Sequence, residues 1–149
     1  MHIYAVSVKT TTTLNTCNCF AVRQAARHVT KLYERHLAAA DLTSAQFSIL
    51  GVLGEAGEMT MAELAGALVM DRTTLLRAIQ PLQRDELLKS RASDDDPRLL
   101  VFTLSSAGER KLKQAFPLWE NAQEEFEAEI GSREAAHLRR RLLALARSK

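Results

Sequence analysis

MTMAELAGALVMDRTTLLRAIQPLQRDELL, residues 59–88, is the stretch that decides how this chain folds. It contains two helix starts. Thr60 stands as an N-cap with Glu63 three residues on, and Met59 and Leu64 sit where a hydrophobic staple belongs. Asp71 repeats the device, flanked by Met70 and Leu75. The spacing predicts helices over 61–68 and 72–85 joined by a short turn, which is helix-turn-helix spacing. On the second helix Leu75, Ile79 and Leu82 recur at helical steps and define an inward face. Thr73, Arg77, Gln80 and Arg84 fall opposite, with Arg72 and Thr74 at the N-terminal end. These groups suit a DNA major groove: an arginine can hold guanine O6 and N7 together, and a threonine methyl can touch thymine. A helix N-terminus also favours phosphate. The same stripe reads equally as a solvated polar face, and the helix alone does not decide between the two.

The residues that follow tip the balance. LLKSRAS (87–93) and the apolar run within 98–104 read as paired strands, with SDDDPR (93–98) at the hairpin tip. A β-hairpin directly after a helix-turn-helix is the wing of a winged helix. Its tip lies along a minor groove, where negative potential attracts an inserted arginine. Arg98 is the candidate for that role. Asp96, two residues earlier, is its candidate brace through a charge-assisted hydrogen bond. Asp94 and Asp95 repel phosphate and are expected to face away or to cap the turn. DDDPR also reads as a solvated turn in which Asp and Pro supply only turn geometry.

Further out, Val22, Ala25, Ala26, Val29, Leu32, Tyr33 and Leu37 predict an amphipathic helix over about 16–39. LTSAQF (42–47) is a third capped start, with Thr43 and Gln46 as the box and Leu42 and Phe47 as the staple. Ser105 or Ser106 opens a long helix to about 130. Gly131-Ser132 breaks it, and Leu138, Leu142 and Leu145 mark a last helix. Pro81 lies inside the second helix of the pair, removes the partner of the Arg77 carbonyl, and is expected to bend that helix's end. The fold class is mainly α: a winged helix-turn-helix of about six helices plus a β-hairpin wing, dimerising through its N- and C-terminal helices. The 149 residues suffice for one domain. Within it, 1–14 is a flexible N-terminus, 15–40 and 105–149 are dimerisation helices, and 42–104 is the DNA-binding lobe.

Composition narrows the function. No apolar run approaches the roughly 18–20 residues needed to cross a bilayer, and the N-terminus lacks the apolar stretch of a signal peptide, so a cytoplasmic protein with no membrane partner is expected. Residues 60–104 carry six Lys/Arg against seven acids. DNA binding there must rest on where the arginines point, and a fold acting mainly through a protein partner is the alternative. Cys17 and Cys19 are too close in sequence for a good disulfide, and His28 and His36 give no recognisable metal pattern. No catalytic or cofactor motif is present, so neither enzyme activity nor a cofactor is expected.

LTSAQFSILGVL (42–53), MTMAELAGALVMDRTTLLRAIQPLQRDELL (59–88) and DDDPRLLVFTLSSAGERKL (94–112) together resemble the MarR family of winged-helix transcription regulators, over roughly residues 15–145. The resemblance implies a homodimer on a pseudo-palindromic operator in double-stranded DNA. It implies a repressor released by a small ligand, such as a small aromatic acid, bound between the dimer helices and the DNA lobe. It puts Thr73, Thr74 and Arg77 at recognition-helix positions and Arg98 at the wing arginine. The chain departs from the family pattern at Glu86, where glycine is common, and at Pro97, where a basic residue is common. NCFAV (18–22) also resembles the start of hydroperoxide-sensing relatives, with Cys19 at the reactive cysteine and Tyr33 at one of the tyrosines that hold it. Arg23, Ser44 and Phe47 replace other tyrosines. Arg23 would favour thiolate at Cys19, which makes an oxidant-sensing repressor the second alternative. Packing of Cys19 as a small hydrophobe at a dimer interface is the plain reading.

Overall fold

Four helices begin where a side-chain oxygen meets the first turn. In the computed structural model, which describes residues 12–148, Thr43 accepts from the Gln46 N–H at 3.1 Å, and the Gln46 side chain returns the bond to the Thr43 N–H at 3.0 Å. Thr60 and Glu63 form the same reciprocal box at 3.2 and 2.9 Å. Asp71 accepts from the Thr74 N–H at 2.8 Å, and Ser105 from the Gly108 N–H at 3.0 Å. The flexible N-terminus expected over 1–14 falls mostly outside the described residues, and Thr12–Asn15 forms one helical turn, α1.

The order thereafter is α2 (Asn18–Leu37), a 3-10 turn (Ala38–Ala40), α3 (Ser44–Ala56), β1 (Glu58–Thr60), α4 (Met61–Leu68), α5 (Arg72–Arg84), β2 (Leu88–Ala92), β3 (Leu100–Leu104), α6 (Ser106–Ile130) and α7 (Ser132–Ala146). This is a mainly α winged helix with six helices of more than one turn. The strands form one antiparallel sheet in the order β1-β3-β2. Leu88 pairs with Leu104 and Ala92 with Leu100, while Met59 pairs with Phe102 and Thr60 with Val101. The third strand was not expected. Glu58–Thr60 is three residues long, too short for a period-two signal, and its residues already read as a cap and a staple. Strand β3 also starts later than expected: Arg98 and Leu99 belong to the turn. Helix α5 runs on through Pro81 as far as Arg84.

One apolar core runs from Leu37 and Ala40 through Ile49, Leu50, Leu53 and Leu64 to Leu87, Phe102, Leu112 and Ala115. Helix α5 contributes Leu75, Ile79 and Leu82, all fully buried. Each such side chain is worth roughly 1.5–3 kcal/mol when buried, so three at helical spacing fix which face of α5 points outward. Leu112 and Ala115 lie on α6, so residue 105 is not a break in packing between the lobe and the helix that follows.

Three connections share one geometry. Asp41, Val69 and Glu86 take left-handed φ values of 55°, 52° and 57°. Behind each, the next N–H reaches five residues back: Leu42 to Leu37, Met70 to Ala65, and Leu87 to Leu82. This is the Schellman closure, which normally uses glycine at the left-handed position. Here each cap residue instead accepts the strain, and the apolar residue after it turns back into the core.

The last of these connections meets α6. The Ser105 N–H donates to the Leu87 carbonyl at 3.0 Å, and the Ser105 hydroxyl to the Glu86 carbonyl at 2.6 Å. Gly108 is buried beneath, and a Cβ there would overlap the Leu87 carbonyl oxygen. Because that obstacle is backbone, Gly108→Ala should destabilise the fold by at least about 2 kcal/mol. Glu86→Gly should stabilise it by about 0.5–1 kcal/mol, as the left-handed strain goes and part of the gain is offset by the freer unfolded chain. Urea unfolding of both variants measures the pair, and opposite signs are the expected outcome.

Candidate nucleic-acid interface

With Leu75, Ile79 and Leu82 turned inward, the opposite side of α5 faces solvent. Arg72, Thr73, Thr74, Arg77, Gln80 and Arg84 are all exposed. Among the described residues, Arg72, Arg77 and Arg84 make no ion pair, so three guanidinium groups stand free along one helix. Thr74 differs from its neighbours. Its hydroxyl donates to Asp71 at 3.0 Å, in addition to the backbone cap. The Thr74 N–H and hydroxyl, with a smaller effect from the Arg77 charge, hold the Asp71 carboxyl below the usual carboxylate range. Its ionised form is thus kept at the helix N-terminus, where a negative charge is favoured.

Leu76 is a residue that the inward-outward division passed over. It lies three positions after Thr73 and four before Gln80, on their face, and it is 37 % exposed. Helical arithmetic alone would have found it.

The wing tip is a closed turn. The Leu99 N–H donates to the Asp96 carbonyl at 3.0 Å with Pro97 second in the turn, and the Ser93 N–H donates to the Leu99 carbonyl at 2.8 Å. The structure brings Asp96 and Arg98 together. The guanidinium donates through Nε to Oδ1 at 3.0 Å and through Nη2 to Oδ2 at 3.2 Å, and the Arg98 N–H adds a third bond at 3.1 Å. The guanidinium first, and the backbone N–H second, hold the Asp96 carboxyl below the usual range. The Arg98 side chain is nevertheless 90 % exposed. It is oriented without being covered. Asp94, the other acid with a partner here, lies 3.4 Å from Arg91, which also donates to Glu58 on β1 at 2.6 Å.

Away from the lobe, Cys17 is the N-cap of α2, its sulfur accepting from the Phe20 N–H at 3.4 Å, and Cys19 is exposed one residue into the helix. Tyr33 lies fourteen residues further along the same helix, about 21 Å away by helical rise, so the two do not meet within one chain. Tyr33 donates instead to Gln123 on α6. His36 and Arg35 both reach Glu125, and His28 reaches Glu129. Ser44 donates to Glu34, and Phe47 packs with Phe116 and Trp119 as an aromatic trio between α3 and α6. A groove of about 460 Å³ is lined by Gln83, Glu86, Lys89 and Ser105 at the wing's base. It is not where the resemblance puts an effector.

The MarR family model matches residues 42–100, from the start of α3 to the first residue of β3. The M. tuberculosis transcriptional regulator MosR, solved in complex with DNA, is 35 % identical and superposes with a TM-score of 0.78 over 87 % of this chain and 93 % of that one. BpsR of Bordetella bronchiseptica superposes at 0.81 over 91 % of this chain and 96 % of its own, and at 19 % identity it speaks for the fold alone. The same holds for a MarR variant from E. coli complexed with operator DNA, at a TM-score of 0.76 and 22 % identity over 84 % and 90 % of the two chains. No curated protein matches the chain. The extent of the match to MosR, together with the family model across the lobe that carries the exposed arginines, makes this chain a member of the MarR family of winged-helix, DNA-binding transcription regulators.

Proposed function

We propose that the protein is a homodimeric cytoplasmic repressor, without enzyme activity, that binds a pseudo-palindromic operator and leaves it when a small effector binds. The observation that carries this reading is the outward row of unpaired arginines on α5 beside an arginine braced at the wing tip. Helix α5 enters the major groove, and Arg77 at the centre of its stripe takes guanine. Thr73 and Leu76 offer apolar groups to thymine methyls, Thr74 contributes its methyl only, Gln80 takes a base edge, and Arg72 takes phosphate at the helix N-terminus. Arg98, held by Asp96, enters the minor groove.

The dimer reading rests on apolar surface left uncovered at the chain ends. Val22 is exposed on α2, and Leu138, Leu142, Leu143 and Leu145 are exposed on α7, whose buried side chains amount to Ala135 alone. A monomer seldom leaves a contiguous face of that kind in water. Residues 15–40 and the later part of 105–149 therefore form the dimer contact, with 42–104 as the reading lobe. Sedimentation of the full chain at micromolar concentration should give only dimer, and Leu142→Glu should reduce both dimerisation and DNA affinity. A well-folded monomeric parent would sink this architecture.

The effector site lies against the aromatic trio, where Phe116 is 43 % exposed. Rings there can stack on a small aromatic acid. Trp119 is the only tryptophan and reports directly. Titration with salicylate should quench its fluorescence and release the protein from a duplex of its own upstream DNA. Release by hydrogen peroxide, abolished in Cys19→Ser, with no response to salicylate, would instead favour the oxidant-sensing reading. The exposure of Cys19 is what recommends that second reading.

Arg77 and Arg98 should fail differently. Arg77→Ala should cost about 1–3 kcal/mol and relax base preference at one position per half-site. Arg98→Ala should weaken binding to every operator variant and flatten the salt dependence by about one unit of slope for each phosphate left unneutralised. Titrations of operator variants at several salt concentrations separate the two. Parental affinity in both variants would overturn the roles of Arg77 and Arg98 in holding DNA.

A further inference from the structure

The wing tip carries two large apolar side chains that the chain leaves about half exposed. Leu99 and Leu100 are 48 % and 53 % exposed. Neither is a frayed residue. The Leu99 backbone is bonded on both sides, to Asp96 and to Ser93, and Pro97 stiffens the turn just before it. Leu100 is paired with Ala92 in the sheet. Turn positions of this kind are usually polar or glycine, and a leucine there leaves about half of its surface in water.

A second copy of the chain is a poor candidate to cover them. The exposed apolar residues assigned to the dimer lie on α2 and α7. The wing tip lies at the other end of β3 from the start of α6, about 17 Å along the strand. Leu99 follows Arg98 directly in the same closed turn, and the Arg98 guanidinium is exposed and held by Asp96. The tip therefore presents a braced cation and, one residue on, an exposed apolar side chain on a hydrogen-bonded backbone. A minor groove matches that pairing. Its potential attracts the cation, and its walls are the C–H faces of the sugars.

We propose that Leu99 is an apolar minor-groove contact that adds sequence preference to the charge supplied by Arg98. The inference rests on the reading of the hairpin as a DNA-contacting wing. The preference follows from groove chemistry. An A·T pair leaves the groove floor without an amino group, and a G·C pair sets the guanine N2 amino group there. An isobutyl group lying on the floor is admitted by the first and obstructed by the second. Arg98 acts through charge and releases counterions from phosphate, whereas Leu99 acts through contact and releases none. Their signatures are therefore separable.

The test uses the full-length protein and duplexes that the parent recovers from a random-sequence pool. The base pairs flanking each half-site are rebuilt as A·T, as G·C, or as inosine·C, which is G·C without the amino group. The parent should bind A·T and inosine·C flanks more tightly than G·C. Leu99→Ala should lose about fivefold on the first two, little on G·C, and keep the parent's salt slope. Leu99→Met, which stays apolar, should keep most of the preference. Parental affinity of Leu99→Ala on all three flanks, with Arg98→Ala weakened, overturns the role of Leu99 and leaves the wing intact. Parental affinity in both variants overturns the wing reading and this inference with it. A uniform loss in Leu99→Ala with a lowered melting temperature makes the residue structural and also overturns the proposal.

Discussion

The approach of α6 to the backbone of Leu87 is the contact on which the geometry of the DNA lobe depends. Gly108 permits it, and Ser105 locks it by donating to two successive carbonyls, Glu86 and Leu87. Strand β2 begins at Leu88 and β3 ends at Leu104, so this junction holds both feet of the hairpin. Helix α5, the hairpin and α6 are thereby joined through backbone groups with little rotational freedom. Sheet pairing carries the constraint outward, and the Arg91–Glu58 pair ties β2 to β1 across the intervening strand. A wing attached only by side-chain packing would swing, and Arg98 would lose its fixed relation to α5.

The chain tolerates strain where three of its helices end. Asp41, Val69 and Glu86 all adopt a backbone conformation that favours glycine, and roughly 1–2 kcal/mol is forgone at each. What offsets it is the residue after each one: Leu42 and Leu87 are buried, and Met70 packs against the core. Val69 is the most strained of the three, because a β-branched side chain is the least suited to that conformation, and it sits in the helix-turn-helix turn itself.

Charge is resolved locally. Residues 60–104 hold more acids than bases, yet the surface of α5 is cationic. Four of those seven acids are occupied: Glu63 completes a capping box, Asp71 caps α5, Asp96 grips Arg98, and Asp94 shares Arg91 with Glu58 of β1. Among the described residues the arginines of α5 have no such ion-pair partners and stay exposed to solvent. Net charge is blind to this, because the field near a helix depends on which groups are already paired.

The sequence by itself determined the helix starts, the helix-turn-helix spacing and the inward face of α5. Each follows from local rules: a capping side chain reaches only three residues, and helical period is a property of one segment. It also brought Asp96 and Arg98 within reach of each other, two residues apart. Tertiary structure decided the rest. Glu58–Thr60 became a strand because β3, more than forty residues later, offered its edge. Leu99 was left exposed because the core had been filled from other directions, which composition cannot reveal. Cys19 and Tyr33 were set apart because a straight helix separates them and Gln123 takes up the tyrosine hydroxyl. Pairing across distant segments and competition for burial are properties of the whole chain, and no window of sequence contains them.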